Sequence, residues 1–134
     1  MSTLNLTSDF DWFARDAGGA LALFSTGGAG FLPEAVTEFH VMHATVAGGI
    51  EYPHWGTEQL WDDVAVLGLY VYDWAVDARH YARAAEPQGA AEPAFADMIG
   101  RIEALPELRG TFASLTQIST LDAFLPRERP RMPS

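Results

Sequence analysis

Gly68-Leu69-Tyr70-Val71-Tyr72-Asp73-Trp74 alternates Tyr70, Tyr72 and Trp74 with Leu69, Val71 and Asp73. That period of two predicts a β-strand with its aromatic side chains on one face. A turn near Val76-Asp77 leads into residues 79–84, an antiparallel partner for it. Upstream, residues 9–15 and 20–25 are two strand-like runs around Asp16-Ala17-Gly18-Gly19, which reads as a β-hairpin. Pro33 opens a helix, with Glu34 and Glu38 at its positive end and Ala35, Phe39, Met42, His43 and Val46 on one face, closed by Gly48-Gly49. A second helix is expected over residues 57–66, with Thr57 as N-cap and Leu60, Trp61, Val64 and Ala65 as its buried stripe. A third is expected over 95–105, with Phe95, Met98, Ile99 and Ile102 at core spacing and Pro106 as its stop. A final strand is expected over 111–115. The pattern implies an α+β fold, an antiparallel β-sheet packed against two to three α-helices, lacking the regular alternation of a doubly wound sheet. Residues 1–126 are expected to form one globular domain, its first eight residues loose, and 127–134 a flexible Pro/Arg-rich tail.

The charge balance is the most unusual bulk property. All eight cationic residues are arginine, against 18 acids, for a formal charge of −10. Arg127, Arg129 and Arg131 fall in the tail with Glu128, which leaves five arginines (8 minus 3) against seventeen acids (18 minus 1) in residues 1–126. Such a surface repels nucleic acid and anionic membranes and attracts basic proteins. The absence of cysteine excludes disulfide frameworks, thiolate metal sites and cysteine nucleophiles. Residues 1–11 carry no basic or apolar region of a secretory signal, and the longest apolar run, 64–72, is interrupted by Gly68. The chain is therefore expected to be cytoplasmic. Lysine-free, Ala/Gly/Arg-rich composition suits a GC-rich bacterial source.

Against this background the motifs of known chemistry fall short. Thr26-Gly27-Gly28-Ala29-Gly30 precedes a helix, but it matches neither the Walker loop nor the dinucleotide fingerprint, and the chain has no lysine to reach a phosphate. It reads as a loop with positive φ angles. His40, His43, His54 and Glu51 have the chemistry of a zinc or iron ligand set, yet the spacing is not that of the metalloprotease helix, and His43 falls on the apolar face. They read as core and boundary residues. No serine lies in a nucleophile elbow. The residues thus imply no catalytic group, cofactor or metal, and lean away from an enzyme. What they do offer is acid beside aromatic: Asp9, Asp11 and Asp16 on the first hairpin, Glu58, Asp62 and Asp63 on the second helix, and Glu51, Tyr52 and Trp55 in the segment between the helices. Tyrosine and tryptophan are favoured interface anchors, so these nine residues are the expected contact surface for a basic protein.

The segment Asp11-Trp12-Phe13-Ala14-Arg15-Asp16, the Gly18-Gly19 turn and Phe24-Ser25-Thr26-Gly27-Gly28-Ala29-Gly30 through Pro33 resemble a group of small uncharacterised bacterial proteins, with residues 68–74 as a second landmark. Some of these look like immunity proteins of toxin systems. The resemblance implies a non-enzymatic binding protein that neutralises a basic toxin. A small-ligand-binding domain or small enzyme, with a pocket near the Gly-rich loop and His40, is the alternative, and a homodimer is a third expectation.

Overall fold

The computed structural model describes residues 9–126; the loose start and the Arg-rich tail expected from the sequence lie outside them. β1 (Asp11–Arg15), β2 (Leu21–Ser25), β3 (Tyr70–Ala75), β4 (His80–Ala85) and β5 (Gln117–Ile118) form one sheet in that spatial order. Among the described residues four α-helices accompany it: α1 (Glu34–Glu38), α2 (His40–Ala47), α3 (Leu60–Ala65) and α4 (Pro93–Gly100). The fold is α+β, as the alternation around Tyr72 predicts. β1–β2, β3–β4 and β4–β5 pair antiparallel, whereas the central β2–β3 pair is parallel. A parallel pair requires a crossover connection, which the segment bearing α1, α2 and α3 supplies.

Strand alternation sorts the core into two layers. On one face, Trp12, Phe24 and Tyr72 are cross-strand neighbours on β1, β2 and β3. Their rings stack, Trp12 on Phe24 at 4.2 Å and Phe24 on Tyr72 at 4.9 Å between centroids. Buried polar tips find partners: Trp12 Nε1 donates to Tyr81 Oη (3.2 Å), Tyr81 Oη to the Phe31 carbonyl (2.7 Å), and Tyr72 Oη to the Leu115 carbonyl (2.6 Å). On the other face Phe13, Leu23 and Val71 meet Val46, Val64, Phe95 and Ile99 from α2, α3 and α4.

The helix expected to run from Pro33 to Gly48 is broken at Phe39, whose φ of −109° and ψ of 32° end α1 and begin α2. The break has a topological reason. Val36 packs in the first layer and Val46 in the second, so the chain must pass around the edge of the sheet between them. It passes at β1, where Phe13 N–H donates to His43 Nδ1 (3.0 Å). Further along, Arg15 N–H donates to the Pro106 carbonyl and Leu108 N–H to the Arg15 carbonyl. Phe13 N–H and both backbone groups of Arg15 are thereby paired, which disfavours strand addition along this part of the edge. His43 is fully buried, and burial holds its imidazole down at about 4, so it is a neutral edge cap.

Three boundaries differ from the sequence expectation. Thr57 is not the N-cap of α3; the helix starts at Leu60, and Thr57 Oγ1 instead accepts from Gln59 N–H within the preceding turn. α4 runs from Pro93, capped by the Glu92 carboxylate, which accepts from Ala94 N–H and Phe95 N–H, and ends at Gly100. The strand expected over 111–115 is a 3-10 turn, Phe112–Ser114, because Asp16 Oδ2 captures Phe112 N–H (2.9 Å) and the fully buried Phe112 ring turns into the core. The strand follows later, at Gln117–Ile118.

Candidate partner-binding surface

At one end of the sheet a row of cross-strand neighbours is polar: Asp11 on β1 faces Ser25 on β2, which faces Asp73 on β3. Alternation puts all three on the helix-covered face, in line with Phe13, Leu23 and Val71, so polar side chains close the end of an apolar layer. Asp9 folds over them, its Oδ1 accepting from Ser25 Oγ (3.0 Å) and Gly27 N–H (3.0 Å). Burial first, then the Asp9 charge, raises the Asp11 carboxyl from 3.8 to about 6; Asp73 adds to this and a Ser25 hydrogen bond opposes it. Burial and Asp9 likewise raise Asp73, against hydrogen bonds from Trp74 and from the Trp61 side chain. Tyr52 completes the group. Its phenol is raised by burial and then by Asp11, Asp9 and Asp63, and its Oη is buried without a hydrogen-bond partner among the described residues.

Residues 51–59 form a loop beside this group, shaped by Pro53 and by Gly56, whose φ is +83°. Asp63, buried on the first turn of α3, clamps the loop from below: Oδ2 accepts from His54 N–H (2.9 Å) and Oδ1 pairs with His54 Nδ1 (2.5 Å). Burial pushes the Asp63 carboxyl up, but the side-chain bond, backbone bond and charge of His54 together hold it below the ordinary range. Trp55 N–H donates to the Tyr52 carbonyl, and Thr57 N–H and Oγ1 both donate to the His54 carbonyl. The loop is thus fixed at its base while its tip carries Trp55, the most exposed large apolar side chain among the described residues at 76%.

The structure brings together most of the nine residues expected to touch a partner. Asp9, Asp11, Tyr52 and Asp63 act on one another electrostatically. Glu51 and Trp55 belong to the clamped loop, Glu58 leads into α3, and Asp62 is exposed on that helix's first turn. Asp16 does not belong with them. It sits past the opposite end of β1, only 4% exposed, and accepts from Gly18 N–H, Ala20 N–H and Phe112 N–H. A carboxylate with three backbone donors is a structural anchor, and Asp16 leaves the surface for that reason. Asp63 also faces inward, so it positions the loop instead of presenting charge. Sequence reasoning missed Ser25, Asp73 and His54 as members of the group. Asp73 carried a signal, as the one carboxylate in register with Leu69 and Val71 on an otherwise apolar strand face.

The Gly-rich loop has no free donors for a phosphate. Gly27 N–H is taken by Asp9, Gly28 N–H by Thr26 Oγ1, and Ala29 N–H and Gly30 N–H by the Thr26 carbonyl. Gly27 and Gly28 hold φ of +57° and +83°, the positive-φ turn expected from the sequence. Of the pocket expected between the sheet and the Pro33 helix near this loop, the side toward Tyr81 is packed: a Cβ on Gly30 would stand 2.5 Å from Tyr81 Oη, and Phe31 packs edge-on against the same ring at 5.0 Å. Ala29 of the loop, by contrast, lines an open recess beside the β3–β4 hairpin. His40 Nδ1 lies 3.0 Å from the Thr37 carbonyl, within its own turn of chain. No helix among the described residues is long and apolar enough to cross a membrane.

Crowded acids give a direct prediction. Between pH 4 and 6 folded Asp11 holds a proton that the unfolded chain, with its carboxyl near 3.8, has lost, so stability falls as pH rises through that window. Asp11→Asn should therefore stabilise the protein at pH 7.5 by about 3 kcal/mol. The gain should shrink as pH falls and vanish below about pH 3, read as the difference in urea midpoints across pH.

No protein family, curated protein or solved structure matches this chain.

Proposed function

We propose that this chain is a non-enzymatic cytoplasmic binding protein whose recognition surface is the acidic end of the sheet with Trp55 at its centre. The observation that supports the reading most is the pairing of an exposed indole on a clamped loop with a row of carboxylates where burial first, then the Asp9 charge, raises Asp11 to about 6. A partner's guanidinium or ammonium group placed there would relieve the repulsion among Asp9, Asp11 and Asp73, and Trp55 would anchor the contact as aromatic hot spots do. Glu51, Glu58 and Asp62 would steer the encounter. A basic protein is the partner class this chemistry fits. Within it, the likeness of residues 11–33 and 68–74 to bacterial immunity-type proteins favours a toxin that the chain masks.

The test is capture from a lysate of the source organism with wild type and Trp55→Ala as parallel baits. Wild type should retain a basic protein at low salt and release it at high salt, and Trp55→Ala should retain about tenfold less, the effect of a hot-spot truncation near 1.4 kcal/mol. Capture of the same protein by both baits, unaffected by salt, would remove the basis for this surface.

A further inference from the structure

On the opposite face, the β3–β4 hairpin and the Gly-rich loop flank a half-open recess of about 360 Å³ lined by Ala29, Trp74, Val76 and Arg79. Its apolar wall is rigid. The Trp74 ring is held edge-on by Phe31 at 5.9 Å and by Tyr81 at 5.0 Å, and the Gly-rich loop lies against its Cβ, where a methyl on Gly27 would come within 3.9 Å. Val76, at the hairpin tip, is an exposed apolar residue. Arg79 stands at the rim with φ of +55°, fixed by its N–H donating to the Ala75 carbonyl (2.8 Å). The other described arginines are engaged: Arg15 with Glu107, Arg83 with Glu86, Arg101 with Asp97, and Arg109 with the Asp122 carbonyl. Among the described residues Arg79 alone has a guanidinium without an ion pair or side-chain hydrogen bond, in a chain rich in acids.

We infer that this recess binds a small carboxylic acid with an aromatic or branched apolar body, the apolar part lying on Trp74 and Val76 and the carboxylate held by Arg79. The volume falls in the lower range of small-molecule sites, and an apolar wall with one convergent charged group is their usual composition. A planar guanidinium matches a carboxylate in a bidentate geometry, and because Arg79 is exposed, water screens the contact and sets the affinity in the millimolar range. Arg79 is the only cation in the lining, so the ligand is an anion, and the lining offers no second charge for a doubly charged one.

The experiment is a titration of the ¹⁵N-labelled protein with phenylacetate and, in parallel, with its uncharged analogue 2-phenylethanol, following the Trp74 indole N–H. Phenylacetate should shift that resonance saturably at millimolar concentration, with 2-phenylethanol about tenfold weaker, the loss expected for one charge-assisted contact. Arg79→Gln should weaken phenylacetate to the level of the alcohol. Arg79→Gly, whose residue adopts the positive φ without strain, should do the same while keeping the fold. Equal binding of acid and alcohol, retention by both variants, or an unmoved Trp74 signal would each overturn the assignment. None of these outcomes bears on the acidic surface, which lies on the other face.

Discussion

Replacing Gly68 by alanine is expected to destabilise the protein by about 3 kcal/mol or more, the sum of a left-handed backbone penalty and an overpacked contact. Gly68 ends the α3 turn with φ of +89°, its N–H donating to the Ala65 carbonyl. The segment before α4 then lies directly on it: Gln88 N–H donates to the Ala65 carbonyl and Glu92 N–H to the Leu67 carbonyl. A Cβ at Gly68 would meet Ala91 N at 2.5 Å and Ala90 C at 2.7 Å, with Ala91 Cα closer still. These are backbone atoms tied on both sides, so relief requires moving either β3 or α4. Gly19 provides the control. It has the same φ of +89°, but a methyl added there would have nothing within 4 Å, so Gly19→Ala should cost only the backbone term, about 1 kcal/mol. Urea midpoints of the two variants separate conformational strain from collision. Equal losses would show that the 88–92 segment yields freely.

Asp16→Ala is expected to cost about 2 kcal/mol, because it strands the buried Phe112 N–H and releases the part-buried N–H groups of Gly18 and Ala20. Oδ1 serves Gly18 and Ala20, which shapes the β1–β2 turn, and Oδ2 serves Phe112, ninety-six residues away, which seats the Phe112 ring against Phe24 and Tyr72. Asp16→Asn keeps one accepting oxygen and should lose about half as much. The measurement is equilibrium denaturation with an unchanged denaturant slope. A loss under about 0.5 kcal/mol for the alanine variant would mean that water reaches the Phe112 amide and that Asp16 is not the anchor described.

How much of this was legible in the residues follows from what each signal encodes. Alternation at 68–74 encodes which side chains share a face, and it correctly gathered Tyr70, Tyr72 and Trp74. The Asp16–Gly19 turn joins strands whose register pairs Trp12 with Phe24, so the first hairpin was legible as well. Neither signal names the neighbour of β2. That choice is made by long-range packing around α1 to α3, and the parallel β2–β3 pair emerged only in three dimensions. The break at Phe39 was hidden for a similar reason: helix periodicity runs through it, and only the passage around the β1 edge requires it. Among the site residues, the acids and Trp55 could be read as chemistry, but burial separates their roles. Asp16 and Asp63 are inward anchors, whereas Glu58 and Asp62 remain outside, and no sequence pattern distinguishes a carboxylate that caps backbone amides from one that faces solvent.

The most direct test of the acidic surface compares charge reversals at it and away from it. With the captured basic partner purified, Kd is measured at physiological salt for wild type, for the Glu58→Lys/Asp62→Lys double variant, and for Glu103→Lys, an exposed acid beyond α4. The double variant should bind about a hundredfold more weakly, near 2.7 kcal/mol, and Glu103→Lys should lose less than about twofold. Equal weakening by both reversals would mean that net charge alone attracts the partner, and no weakening by either would place the contact elsewhere on the molecule.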